Sequence, residues 1–251
     1  MDVANIARGV SIWGLPVLYA IIFHEVAHGW VAEKFGDSTA RRAGRITLNP
    51  ISHIDPIGTV LLPLILIAVG SKFLFGWAKP VPVNFSALKN PKRDMIWVAL
   101  SGPGTNFILA SLSAILIRIM IVLSPDFVQS ILGDNSATGL AGNTGLVYQF
   151  FTPIFFMLCA SVFINIVLMI LNLIPVPPLD GGRILIGLLP PRAAYQYSKV
   201  EPYGIMIIAL LLFMIPFTKM LFSTFIVVFL NLFSLMAGIG VYNVLAIKGF
   251  I

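Results

Sequence analysis

The chain reads as an all-α polytopic membrane protein with about 5–6 transmembrane helices and small membrane-associated β-strand or re-entrant segments. Of its 251 residues, 58% are hydrophobic and only 10% are charged. The mean hydropathy is +0.96, more apolar surface than a soluble domain of this size can hide. Apolar stretches long enough to span fall at roughly 8–34, 93–123, 148–172, 202–217 and 219–247, against the ~20 residues a bilayer requires. The basic residues lie in short segments between these runs, so the net charge of +6 serves topology and does not point to nucleic acid.

The N-terminal stretch is a retained first span rather than a cleaved signal, because cleavage there would discard its two histidines. The stretch at 57–70 is shorter and carries Pro63. It reads as a re-entrant or half-buried helix, a sixth span being the alternative. Residues 38–50 and 77–85 read as short strands and turns, with Pro80 and Pro82 suited to an edge strand. The last two apolar stretches form one run broken at Pro216-Phe217-Thr218-Lys219, a tight turn between antiparallel helices. The whole of 1–251 reads as one membrane-embedded domain, with a core over about 8–190 and a C-terminal hairpin over about 202–247.

Loop charges orient the spans. Lys34, Arg41, Arg42 and Arg45 follow the first; Lys72, Lys79, Lys89, Lys92 and Arg93 follow the short stretch; Arg183, Arg192 and Lys199 precede residue 202. These face the cytoplasm, whereas 124–147 carries Asp126 and Asp134 with no basic residue and faces outward. Arg118 snorkels to the headgroups, and Trp30, Trp77 and Trp97 read as interface anchors. The single Cys159 excludes a disulfide framework or cysteine metal cluster.

The first span contains "HEVAH". His24 and His28, four apart, share one helix face and can hold two corners of a tetrahedral zinc site. Glu25 can reach a zinc-bound water, whose pKa falls towards ~7, and take its proton. The bland alternative is two histidines bonded to neighbouring helices and a glutamate paired with one. Ionisable groups inside a span are costly, which favours function. A third ligand is required, and "NLIPVPPLDGGR" offers Asp180 beside helix-breaking prolines and a Gly181-Gly182 pair that allows close backbone approach. Alone, Asp180 would read as an N-cap; beside an intramembrane HExxH it reads as a ligand.

These paired motifs resemble the site-2 protease family of intramembrane zinc metalloproteases. Asn172, Pro175, Pro177, Leu179, Asp180 and Gly181 match that family's second motif, and "SGPGTNF" at 101–107 is similar to its small-residue motif. "LNPISHIDPIGT" and "GWAKPVPVN" resemble compact bacterial and archaeal members without PDZ or CBS domains. The resemblance covers about 20 to 185. It implies a three-helix catalytic core, one zinc per chain on His24, His28 and Asp180, Glu25 as base, and Asn172 bound to substrate backbone or the developing oxyanion. The implied substrate is a transmembrane segment of another protein, cut in or near the bilayer in regulated intramembrane proteolysis. The implied location is the cell membrane, with the site nearer the cytoplasm. A non-catalytic metal-binding protein or transporter is the alternative, although the spans show few polar residues along a path.

Other residues keep two readings. Asn172 also suits an interhelical hydrogen bond, and for Asn165 that structural role is preferred. Gly102, Asn106 and Ala110 form a small-residue packing stripe, with Asn106 as a possible support to the site. His53 is either an accessory group (gate, transient ligand or second acid) or a surface histidine paired with Asp55. The Pro-Val-Pro-Val segment at 80–83 is either a strand-adding edge for unwound substrate or a plain connector.

Overall fold

The computed structural model describes residues 3–69, 76, 78–127, 131, 146–247 and 249. The expectations placed on Lys72, Trp77 and Asp134, and on most of 124–147, lie outside the described residues.

Helix α1 runs Val3–Lys34, followed by the single turn α2, Thr39–Arg42. A 3-10 turn at Pro50–His53 and a π-helical turn at Pro56–Leu61 lead into α3, Leu62–Ala68. Asn49 and Asp55 cap the two turns, accepting from Ile51 N and from Ile57 and Gly58 N respectively. After a 3-10 turn at Phe85–Ala87, α4 spans Pro91–Leu123 and α5 spans Leu146–Asn172. Then come α6 (Asp180–Leu188), α7 (Pro191–Ser198), α8 (Gly204–Phe213), α9 (Pro216–Ala237) and α10 (Val241–Ile247).

Among the described residues, four helices are long and apolar enough to cross a membrane: Ala7–Lys34, Pro91–Leu123, Phe150–Asn172 and Pro216–Ala237. The stretch at 202–217 does not yield a fifth. Glu201–Tyr203 forms a 3-10 turn, leaving α8 with only 10 residues, or ~15 Å at 1.5 Å per residue. The C-terminal run is broken beside Pro216, but at Met214-Ile215 rather than over Pro216-Phe217-Thr218-Lys219: α8 ends at Phe213 and Pro216 lies past the break. Pro216 sits at the start of α9, where its missing N–H costs nothing and its fixed φ suits a first turn. α9 ends at Gly238, whose φ of 74° is left-handed.

No strand occurs among the described residues. Residues 39–42 are helical, and 78–84 is irregular. Pro80 and Pro82 lack backbone donors, and side chains together with the His53 carbonyl, rather than a neighbouring strand, satisfy the segment.

The chain divides into two compact units, with boundaries that fall inside helices. The first comprises 21–105 and 171–210. Its small core packs Ala32, Leu88, Met95 and Val98 with Phe35, Val83, Phe85 and Ile186. The second comprises 2–20, 106–170 and 211–251. Phe155, Cys159, Ala160, Ile166, Phe233 and Leu245 lie at its centre. Ala110 and Ala114 are fully buried there, as small residues at a helix contact should be. Trp30 and Trp97 are half exposed.

Candidate metal centre

α1 presents His24 and His28 from one face, and the start of α6 brings Asp180 to them. His24 Nε2 lies 3.1 Å from His28 Nε2. Asp180 Oδ2 is 3.2 Å from His24 Nε2, and Oδ1 is 3.3 Å from His28 Nε2. Ligand atoms ~2.0–2.1 Å from a tetrahedral zinc stand ~3.3 Å apart, so this spacing fits one zinc ion. His28 Nδ1 donates to the Val98 carbonyl at 2.7 Å. A carbonyl only accepts, so Nδ1 carries the proton and Nε2 presents its lone pair to the centre. Asp180 Oδ2 is buried without a hydrogen bond of acceptable geometry, despite the close imidazole. A metal would satisfy it.

Asp180 is not a cap. Leu179 occupies the N-cap position without a side-chain bond, and Asp180 is the first helical residue with its carboxylate turned to the histidines. The loop before it is tightly packed. A β-carbon on Gly181 would overlap the Leu173 carbonyl, one on Gly182 would overlap Pro177 N, and one on Gly204 would overlap the Pro177 oxygen. The Tyr197 hydroxyl donates to the Pro175 carbonyl, and Arg183 pairs with Glu201.

Gly102, read from the sequence as part of a packing stripe and of the small-residue motif at 101–107, belongs to this centre. A β-carbon there would lie 2.5 Å from His28 Nε2 and 2.6 Å from both Cε1 and Nε2 of His24. Ser101 Oγ stands 3.4 Å from His28 Nδ1 and donates to the Val98 carbonyl.

Glu25 Oε2 accepts from Val81 N at 2.7 Å. The segment bearing Val81 is fastened along its length. Lys79 N donates to the His53 carbonyl at 2.9 Å, and Arg45 Nη2 donates to the Lys79 carbonyl at 2.6 Å. Asn84 N donates to Asp37 Oδ2 at 2.6 Å. Asp37 is fully buried and also accepts from the Thr39 amide and hydroxyl. Burial would raise its carboxyl, but these donors and Arg42 hold it below the usual range.

His53 is buried, with Nε2 donating to the Thr47 carbonyl. Asp55 is not its partner, since that carboxylate caps the next turn. Asn172 is the half-buried last residue of α5, directly before the loop that leads to Asp180. Asn106 is buried and donates to Asn165 Oδ1 at 2.8 Å and to the Ala20 carbonyl at 3.2 Å. Asn165 continues to Ser161, which meets Ser113. Asn106 is therefore engaged in helix-to-helix bonding.

The family model for peptidase family M50 matches residues 14–215. "Putative zinc metalloprotease YwhC" of Bacillus subtilis (strain 168) is 39% identical over 202 residues, covering 80% of this chain and 80% of that protein. "Putative zinc metalloprotease Rip2" of Mycobacterium tuberculosis (strain H37Rv) is 28% identical over 203 residues, 79% of this chain and 65% of the relative. Its namesake in Mycolicibacterium smegmatis is 25% identical over 199 residues, 78% of this chain and 64% of the relative. The chain thus spans just under two thirds of the length of the Rip2 relatives. No solved structure matches. A profile match over most of the chain, and a relative this similar, agree with the two-histidine, one-aspartate centre: the chain is a multi-pass membrane protease of peptidase family M50, the site-2 protease family of zinc metalloproteases.

Proposed function

We propose that this protease cuts peptide bonds in or near the transmembrane segments of other proteins, in regulated intramembrane proteolysis, with one zinc per chain. The observation that carries the reading is the triangle of His24, His28 and Asp180 donor atoms, two of them on a helix able to cross the membrane. A centre placed there suits substrates that share the bilayer. Such a substrate must unwind locally, because a helix hides the carbonyl to be attacked.

His24 Nε2, His28 Nε2 and the Asp180 carboxylate would hold the ion. Zinc, when bound, supplies a nucleophile at neutral pH and polarises the scissile carbonyl. Glu25, one residue beyond His24, takes the proton from the attacking water and passes it to the leaving amine. The Asn172 amide donates to the oxygen where negative charge develops. Lys34, Arg41, Arg42 and Arg45 follow α1 and favour its C-terminal end on the cytoplasmic side. His24 and His28 lie in the last third of α1, so water reaches the site from that side.

The test uses a co-expressed single-span reporter whose transmembrane segment carries a helix-loosening Asn-Pro pair, beside soluble casein as a comparison. Wild type should cut the reporter within or beside its span. Glu25→Gln should keep zinc by elemental analysis yet lose cleavage. Cleavage of casein alone would refute the intramembrane reading, and a Glu25→Gln enzyme at wild-type rate would refute the assigned base.

A further inference from the structure

Arg45 is 8% exposed, and no carboxylate pairs with it among the described residues. Its Nε is buried without a hydrogen-bond partner. Burying a guanidinium without a counter-ion is expensive, so the fold retains it for some return. Its Nη2 donates to two successive carbonyls, Lys79 at 2.6 Å and Pro80 at 3.4 Å. The Pro80 carbonyl and the Val81 N–H are the two ends of one peptide unit, and that N–H donates to Glu25 Oε2 at 2.7 Å.

We propose that Arg45 is a positioning residue for Glu25, acting through the Pro80–Val81 peptide. The cation sits at the oxygen end of this peptide dipole and the carboxylate at its N–H end. Hydrogen bonds in such a chain polarise and strengthen one another. The frame leaves little freedom for an alternative arrangement. Lys79 N is bonded to the His53 carbonyl, and Val81 is buried against the face of α1 at Gly29. One oxygen of Glu25 is thereby fixed, and the other is left to take the proton. The inference rests on Glu25 being the base.

The experiment uses purified, zinc-loaded full-length enzyme in detergent and the Asn-Pro reporter. Arg45→Ala should lower kcat by roughly 10–100-fold, the scale of a misplaced catalytic group, with KM nearly unchanged and zinc content retained. Ethylguanidinium should restore part of that rate where ethylammonium does not, because the ammonium nitrogen would stand at the Nε position, two bonds short of the Nη2 that donates to both carbonyls. Arg45→Lys should fall between wild type and Arg45→Ala. Val81→Pro removes the N–H that carries the effect. In that background Arg45→Lys should cost far less than alone, since both changes act on one peptide unit. This cycle decides the matter even where Arg45→Ala fails to fold. Overturning outcomes are an unchanged kcat, a change in KM alone, or losses from Arg45→Lys and Val81→Pro that simply multiply. Glu25→Gln run in parallel separates the two ideas: if it still cuts, the base is wrong. If it is dead while Arg45→Lys is unaffected, only the positioning role fails.

Discussion

Gly102 stands so close to His28 that a single added carbon would sit 2.5 Å from the imidazole Nε2. The residue on α4 thus sets the room available to the metal ligands on α1. Gly102→Ala should displace both imidazoles, lower zinc occupancy at least ~10-fold, as disruption of groups supporting a metal site does, and abolish cleavage. Gly104→Ala is the control, because nothing lies within 4 Å of its β-carbon. It should keep zinc and cleavage and gain about 0.5–1 kcal/mol from helix propensity. Elemental analysis and thermal melts read both variants.

Gly204 plays a similar part for the loop that leads to Asp180. Its β-carbon would overlap the Pro177 carbonyl oxygen, so Gly204→Ala must move either α8 or the loop. A stability loss of about 3 kcal/mol is expected, at the upper end for overpacking. Zinc affinity should fall with it, measured by competition with a chromophoric chelator. Retained affinity at unchanged stability would show that the loop yields without consequence.

Asp37 offers a pH test away from the metal. Its carboxyl is held below the usual range in the folded state. The linked stability is present above the unfolded value of ~3.9 and is lost as pH falls through the lower folded value. Asp37→Asn should cost about 2 kcal/mol at pH 7, in the range for hydrogen bonds to a charged group. Wild type and variant should converge in melts run progressively below pH ~4. A gap that persists undiminished in acid would remove the carboxylate's charge from the account.

Asn106 separates packing from chemistry. Its amide donates to Asn165 and Ala20, so Asn106→Ala should cost about 1 kcal/mol, the scale of hydrogen bonds between membrane helices. Zinc content should not change. A fall in zinc would instead return Asn106 to the support of the site.

The residues that declare chemistry were legible on different grounds: His24 and His28 by their spacing of one helical turn, and Asp180 by a proline-rich motif that resembles the second motif of a known family. The closeness of Gly102 to both imidazoles was not, since a sequence reports a residue's size but not who its neighbour is. Arg45 read as a topology charge because its position after a span says nothing of its burial, which depends on where 79–81 folds back. Pro216 marked the break in the C-terminal run two residues late. The same ring that ends one helix starts the next, and only the chain on either side decides which. The supposed strands failed for a related reason. Extended backbone needs partners, and here carboxylates, a guanidinium and a loop carbonyl supply them in place of a sheet.

That last arrangement bears on how the protein can diversify. Residues 79–84 are tethered through their own main-chain atoms to Arg45, His53, Glu25 and Asp37. The side chains of Lys79, Pro80 and Pro82 are exposed and take no part in the tethering. Their identities can therefore drift, or be swapped by a designer, while the fixed carboxylate behind them stays registered to the metal ligands.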